Sequence, residues 1–401
     1  MRILKVAQAY YPFQEKGGPV VKVRAIARGL AQRGYQVTVL TADLGLSKRS
    51  NSTAKYERCA WGWRSVQDGG IEVVYLSSFM HYRALTINPH VIGFCRTALR
   101  QFDLVHFYGL YDLLGPSVSH FCRRLGIPYV VEPMGMYRPI VRNIGLKRMY
   151  HVFLGRQFVG RARFLIATSE QEKQELIEDG IEASHIVIRR NGIDFPQELP
   201  ARGEFRRQWS IADNSKLILF LGRLVSKKSP DMLIEAFARW RSKSTSGNDA
   251  VLVLAGPVED DAFVSRLKAN ADRLGLGKRV RFVGPIYDHE KWQAYRDADV
   301  FVLPSQNENF GNTAAESAVC GTPVIVTDRC GIAPLVGQAG IVIPYDCDEL
   351  EQALGRLLED PVMLQHCQEG CREMARSLSW DDPLDVSEKL YRQCLSEDAR
   401  R

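Results

Sequence analysis

A chain of 401 residues, 45% hydrophobic and 25% charged, exceeds one hydrophobic core and lacks the bias of a disordered polymer, so two globular domains are expected. Its formal net charge of +7 suits an anionic small molecule or an anionic membrane surface, and with no basic recognition helix it argues against nucleic acid as a partner. No run approaches about 18 uninterrupted apolar residues, which excludes a spanning helix, and the nine cysteines lack metal or disulfide spacing, so free buried thiols in a reducing cytoplasm are expected.

The N-terminal "MRILKVAQAYYP" reads as a strand stopped by Pro12, its apolar run too short for a signal peptide. Short runs rich in Val, Ile and Leu then alternate with longer amphipathic segments, the mark of βαβ units around a parallel sheet. In the first half the strands are "ILKVAQ", "QVTVLT", "IEVVYL", "LVHFYG", "YVVEP", "FLIATS" and "HIVIRR". The loop after the first strand carries Gly17 and Gly18, a pair that lets backbone approach a ligand closely, although a simple turn would look the same. The helix after it has apolar positions at Val20, Val23, Ala27 and Leu30, and the loop is not the dinucleotide fingerprint. "SKRSNSTAKYERCAWGWRSVQDGG" reads as an exposed loop, and His106 as a hydrogen-bonded histidine lining a strand end. Arg138 to Phe164 carries only basic charges among aromatic and aliphatic residues: either a helix covering the core or a segment lying on an anionic membrane.

"NGIDFPQELPARG" reads as turn and linker, which sets the domains at 1–195 and 196–375, with 376–401 a terminal amphipathic helix. The second half repeats the alternation with "LILFLG", "VLVLAG", "VRFVG", "DVFVLP", "PVIVTD" and "GIVIP". The fold class is α/β, two doubly wound parallel-sheet domains, whose ligands should collect in loops at the carboxyl ends of the strands. Arg223 and Lys228 lie in such a loop before a helix starting at Pro230, and both suit phosphate oxygens. In the loop after "DVFVLP", Glu308 and Glu316 flank the backbone from Phe310 through Gly311 and Asn312 to Thr313, where a helix begins with Asn312 as the expected N-cap. Two readings stand: carboxylates gripping sugar hydroxyls on either side of an amide cradle for diphosphate, or a plain acidic first turn and a solvated loop glutamate. The Asp346 to Asp348 triplet "DCD" reads as a cap, Asp348 with Glu351, and no metal site is expected.

The order of these pieces resembles glycosyltransferase family 4, also described as glycosyl transferases group 1: retaining enzymes of the GT-B fold, with two facing Rossmann-like domains across a cleft. The resemblance spans essentially the whole chain, through the GG loop, "DLVHFYG", "TSEQEKQEL", "RRNGID", "GRLVSKK", "ADVFVLPS", the E-x7-E pair and "CGTPVIV". It implies a nucleoside diphosphate sugar as co-substrate, no other cofactor, and a glycan or lipid-linked acceptor in a setting such as surface polysaccharide assembly. Glu308 would contact the donor sugar and Glu316 the ribose. Arg223 and Lys228 would grip the diphosphate, Gly17 and Gly18 would approach it from the first domain, and Pro285, Ile286 and Tyr287 would meet the base. Met134 stands where relatives often carry a basic residue, leaving His106 or Arg138 to stabilise charge, and "CGIAPLV" lacks a glutamate common near Pro334. The expected place is cytoplasmic, with peripheral contact at the inner membrane face through 138–164 as a variant. The rival readings are a nucleotide-sugar epimerase or phosphorylase on the same architecture, and a non-catalytic sugar-nucleotide binding protein.

Overall fold

Each apolar run read as a strand forms one. The structure is a computed structural model that describes residues 1–13, 17–46, 55–82, 85–138, 145, 149–244 and 249–398. It divides into two units, one of Met1–Gly192 with Trp380–Arg401 and one of Ile193–Ser379.

The first unit holds β1 (Arg2–Ala7), β2 (Gln36–Ala42), β3 (Glu57–Cys59), β4 (Gly62–Gln67), β5 (Ile71–Leu76), β6 (Met80–Tyr82), β7 (Leu85–Ile87), β8 (Leu104–Tyr108), β9 (Tyr129–Glu132), β10 (Phe164–Ala167) and β11 (Ile186–Ile188). Nine of these make one sheet in the order β11-β10-β9-β8-β1-β2-β5-β4-β3, while β6 and β7 form a separate hairpin. The strands from β11 to β5 run parallel. They are covered on both faces, which is why they read as continuous apolar runs rather than alternating ones. The segment expected to be an exposed loop departs from that reading: 47–54 lie outside the described residues, but β3 and β4 pair antiparallel at the sheet edge, in register with β5 from Gly62↔Leu76 to Gln67↔Ile71. Strands at a sheet edge need little burial, and here only Gly62 and Ser65 of β4 and no residue of β3 are buried, so no apolar run marks the pair in the sequence.

The second unit holds β12 (Leu217–Leu221), β13 (Val251–Ala255), β14 (Val280–Gly284), β15 (Val300–Leu303), β16 (Val324–Thr327) and β17 (Gly340–Ile343), all parallel in the order β14-β13-β12-β15-β16-β17. Strand order reverses between β12 and β15 here, and between β1 and β8 in the first unit. At such a reversal neighbouring loops leave in opposite directions, opening a crevice at the carboxyl ends of the strands.

The terminal helix Asp381–Asp398 belongs to the first unit. Leu384 packs so close to Gly29 that a Cβ there would lie 2.4 Å from its Cδ1, and Arg33 binds Asp385 at 2.5 Å and Glu388 at 3.0 Å. Trp380 lies against Gly192 in the same way, with 2.6 Å left for a Cβ. Of the basic 138–164 segment, 139–144 and 146–148 lie outside the described residues; the rest includes a π-helical turn His151–Gly155 leading into helix Arg156–Gly160, whose Phe158 and Val159 are buried. No helix among the described residues is long and apolar enough to cross a membrane. All nine cysteines are free thiols, most of them buried.

One glycine of the second unit tests the packing directly. Gly370 lies within helix Pro361–Arg376, where Ala would ordinarily add about 1 kcal/mol of helix stability. A Cβ there would sit 2.4 Å from the Gln338 carbonyl carbon and 2.8 Å from the Ala339 nitrogen, both backbone atoms with little room to yield. Gly370→Ala is therefore expected to destabilise the protein by about 1–3 kcal/mol in denaturant titration, the usual cost of overpacking; a stabilised variant would refute this packing.

Candidate functional site

Two loops meet at the β12/β15 reversal. The first leaves β12 through Gly222, whose carbonyl oxygen would lie 1.8 Å from a Cβ on Gly256; Gly256, at φ 143°, therefore holds the loops after β12 and β13 together. Gly222 and Leu224 donate to the carbonyls of Ala255 and Pro257 at 2.9 and 3.1 Å, which fixes the backbone on both sides of Arg223. A 3₁₀ turn Ser226–Lys228 follows, and Ser229 in the left-handed region turns the chain into helix Pro230–Lys243. Proline opens that helix because its missing N–H would have had no intrahelical acceptor there.

The second loop leaves β15 and is pinned at several points. Gln306 donates its N–H to the Lys227 carbonyl at 2.9 Å, joining the two loops, while Glu308 donates to Arg329 at 2.9 Å and accepts from Gly331 at 2.8 Å. The Glu308 side chain then meets the Lys228 ammonium directly, and the two are only 19% and 15% exposed. Burial alone would raise the Glu308 pKa; the charges of Lys228, Lys227 and Arg223 outweigh it and hold the carboxyl below its ordinary value. An ionised carboxylate accepts hydrogen bonds and cannot donate them, which fits it to hydroxyl groups. Arg223 is more exposed and donates to Glu259 at 2.7 Å.

Glu316 lies in helix Asn312–Val319, which starts at the end of the Glu308 loop. Its carboxylate accepts from Lys291 at 2.7 Å and from the Tyr295 hydroxyl at 2.9 Å. Both donors project from one face of helix Asp288–Asp297, four residues apart. Sequence reading missed them, although K-x-x-x-Y on a helix following a strand was the available signal. It also missed Tyr345, whose hydroxyl lies 2.9 Å from that of Ser229 and accepts from Gln306 at 3.0 Å.

Several expectations need correction. Asn312 is the first helical residue and not the cap; the cap is Gly311, at φ 110°, where a Cβ would lie 3.0 Å from Ile332 Cγ2 and 3.2 Å from Leu303 Cδ2. Close approach and a left-handed backbone there both demand glycine. Thr313 follows in the first turn, where amides have no intrahelical acceptor in a regular helix. Phe310 and Ile286 are buried in the core, so only their backbones can face a ligand, whereas Pro285 and Tyr287 are exposed. At "DCD" the cap is Asp346, which accepts from the amides of Asp348 and Glu349; Asp348 and Glu351 instead pair with Arg239 and Lys243. Among the described residues no three His, Cys, Asp or Glu side chains are grouped to hold a metal.

In the first unit Gly17, at φ 88°, caps helix Gly18–Gln32, with nothing within 4 Å of where a Cβ would point. Met134 adopts a positive φ of 55° in the loop after β9. The two basic candidates have partners within the first unit. Arg138 is held on the surface by Asp179 at 2.9 Å and Glu178 at 2.9 Å, and His106 is wholly buried.

The profile described as glycosyl transferases group 1 matches residues 201–374, and that described as glycosyl transferase 4-like domain matches residues 17–192. The D-inositol 3-phosphate glycosyltransferase of Corynebacterium jeikeium (strain K411) is 33% identical over 320 residues, 76% of this chain and 75% of that one. The chain belongs to the group 1 glycosyl transferases. The similarly named protein of Thermobifida fusca (strain YX) is 28% identical over 96% of this chain and 90% of its own. The glycosyltransferase shares its GT-B fold with Anabaena HepE, solved with UDP and glucose, at TM-score 0.75 and 20% identity over 99% of this chain and 100% of that chain. The catalytic domain of Arabidopsis thaliana starch synthase IV gives TM-score 0.76 and 15% identity, over 98% and 99% of the two chains.

Beneath the first unit's helices the glycosyltransferase buries a charged cluster. Glu132, at the end of β9, accepts from Arg189 at 2.5 Å and contacts Lys22, which also donates to Thr168 at 3.0 Å. Lys5 donates to the Tyr108 hydroxyl at 2.7 Å. His106 stacks on Tyr108 with 4.0 Å between ring centroids, and its Nδ1 lies 2.6 Å from the Tyr391 hydroxyl of the terminal helix. Burial is the main cause that lowers the His106 pKa from 6.5 to about 3, so the ring is neutral at physiological pH. The unfolded chain then takes up this proton first as pH falls, so stability is full above about 6.5 and is lost progressively towards about 3. His106 contributes ~2 kcal/mol of that loss between pH 7 and 5. His106→Gln should show a correspondingly shallower fall in unfolding free energy over that interval, and an unchanged slope would contradict a neutral buried ring.

Proposed function

We propose that this glycosyltransferase moves a glycosyl residue from a nucleoside diphosphate sugar to an acceptor hydroxyl, with retention of anomeric configuration and without a metal ion. The observation that carries the reading is the Lys228–Glu308 contact at the β12/β15 reversal, with Arg223 close enough to help lower the Glu308 pKa. A cation pair beside an ionised carboxylate suits a ligand that joins a diphosphate to a polyol. In the proposed complex Lys228, Arg223 and the amides opening helix Asn312–Val319 hold the diphosphate. Glu308 accepts from hydroxyls of the transferred sugar, Glu316 from those of the ribose, and exposed Tyr287 lies against the base. The first unit is proposed to bind the acceptor.

The bond between the anomeric carbon and the diphosphate oxygen breaks with its electron pair leaving on that oxygen. The acceptor oxygen attacks from the same face and passes its proton to the departing phosphate. The two side-chain cations and the helix start supply the positive charge that a metal would otherwise bring; the helix end contributes at most ~2 kcal/mol, less than the full charges.

For the acceptor, the names of the relatives favour an inositol phosphate. A glycan or lipid-linked acceptor in surface polysaccharide assembly is the second reading, with the protein cytoplasmic and peripheral at the membrane. Its support is the run of exposed apolar residues Met149, Val152, Phe153 and Leu154, a feature of surfaces that meet lipid. The structures solved with UDP and with UDP-glucose make uridine diphosphate sugars the first donors to try.

Purified protein is to be assayed with a panel of nucleoside diphosphate sugars against inositol phosphate and lipid-linked acceptors, the product's anomeric configuration being read by NMR. Arg223→Ala and Glu308→Gln are each expected to lower turnover by about 10²–10³ while leaving thermal stability near wild type. Chelation of divalent metals should leave the rate unchanged. Near-normal turnover in either variant would remove the proposed site. Conversion of the donor without any acceptor would instead mark an epimerase, and donor binding without transfer a binding protein.

A further inference from the structure

Both oxygens of the Glu316 carboxylate are held by side chains of a neighbouring helix: Lys291 donates to one at 2.7 Å and the Tyr295 hydroxyl to the other at 2.9 Å. Tyr295 has little freedom to move. It is wholly buried, its ring meets that of Phe301 edge-on with 5.6 Å between centroids, and its carbonyl accepts from the Thr322 hydroxyl at 2.6 Å. Burial, with Glu316 beside it, raises its pKa well above the ordinary value, so the hydroxyl keeps its proton and donates. The Lys291 ammonium rests 4.6 Å from the centre of the Trp292 ring. The Glu316 side chain is still 14% exposed, so an edge of the held carboxylate stays open to a ligand.

A purely structural explanation is that Tyr295, a core residue, needs an acceptor for its hydroxyl and that Glu316 supplies it. One oxygen meets that need, and a backbone carbonyl would meet it without the cost of withdrawing a carboxylate from water. The explanation leaves out the second donor, one turn earlier on the same helix, which holds the other oxygen of the same side chain. With both oxygens engaged, the plane of the carboxylate is fixed, which a single hydroxyl would not achieve. A carboxylate has about four lone-pair sites, so each oxygen keeps capacity for one further bond. Two such acceptors on one rigid group match two vicinal hydroxyls, the 2′ and 3′ pair of a ribose. The order along the helix agrees: Lys291 comes four residues, or one turn, after Tyr287, so base and ribose would lie in succession.

We propose that Lys291 and Tyr295 are positioning residues which, through Glu316, make the enzyme select ribonucleotide donors over 2′-deoxyribonucleotide ones, resting on the reading above that Glu316 accepts from the ribose. Dissociation constants are measured by calorimetry for UDP, GDP and ADP, each beside its 2′-deoxy counterpart, on the full chain and its Glu316→Ala, Tyr295→Phe and Lys291→Met variants. Wild type is expected to bind a ribonucleotide about tenfold or more tightly than its deoxy counterpart, the scale of one hydrogen bond to a charged group. Glu316→Ala should bring that ratio close to one. Tyr295→Phe, which keeps the ring in the core, should lower the ratio about threefold or more while the deoxynucleotide stays within about twofold of its wild-type affinity. Lys291→Met also removes a charge, so both nucleotides change, but the ribonucleotide should weaken more and the ratio fall. A ratio lowered by Glu316→Ala yet unchanged in either of the other variants, or a uniform loss of both nucleotides, overturns the positioning role of that residue and leaves Glu316 at the ribose. If wild type binds none of these nucleotides or shows no preference, or if Glu316→Ala keeps the preference, the placement of Glu316 at the ribose fails and the proposal falls with it.

Discussion

The reversal of strand order between β12 and β15 is the constraint on which the donor-side architecture depends. Parallel strands must be joined by crossovers, and where successive crossovers leave on opposite sides the loops separate instead of packing on one another. The Arg223–Lys228 loop and the Glu308 loop are neighbours only because β12 and β15 are hydrogen-bonded in register, at Ile218↔Val300 and Leu219↔Phe301. The Gln306 to Lys227 backbone bond then ties the loops, and Lys228 can meet Glu308 across 80 residues of sequence.

Around that contact, small features act on position more than on charge. A methyl group on Gly256 would collide with the Gly222 backbone, and one on Gly311 would crowd the side chains of Ile332 and Leu303. The amide of Glu308 and its carbonyl are both engaged, so its carboxylate is aimed from a fixed main chain. Glu316 is aimed differently, by two donors on a neighbouring helix. Preorganisation of this kind matters because polar groups that are already oriented need not reorganise when charge develops.

The first unit solves a different problem. Its terminal helix is joined to the sheet through a buried polar cluster, with Tyr391 against His106 and Ser387 accepting from Arg189 at 3.2 Å. Buried charges are costly unless paired, and here Arg189 and Lys22 share Glu132 while Lys5 meets a tyrosine hydroxyl. Removing a single member would leave its partner unsatisfied in a dry interior. The cluster therefore specifies how this helix seats rather than adding simple stability.

The sequence by itself determined the strands, because a parallel strand covered on both faces must be a short apolar run, and it determined the family, because the E-x7-E pair and the motifs around it keep their order along the chain. It also placed Arg223, Lys228, Glu308 and Glu316 in loops or helix starts after strands, since that follows from local alternation alone. Tertiary structure alone decided the rest. The antiparallel edge of β3 and β4 hides among charges because, of its residues, only Gly62 and Ser65 are buried. Whether Gly311 or Asn312 caps its helix turns on side chains of Leu303 and Ile332, and whether Phe310 and Ile286 face ligand or core turns on what packs against them. The partners of Lys291, Tyr295, His106 and Arg138 likewise lie far away in sequence. Periodicity reports which residues lie on one face of an element; which element covers that face is a long-range property of the folded chain.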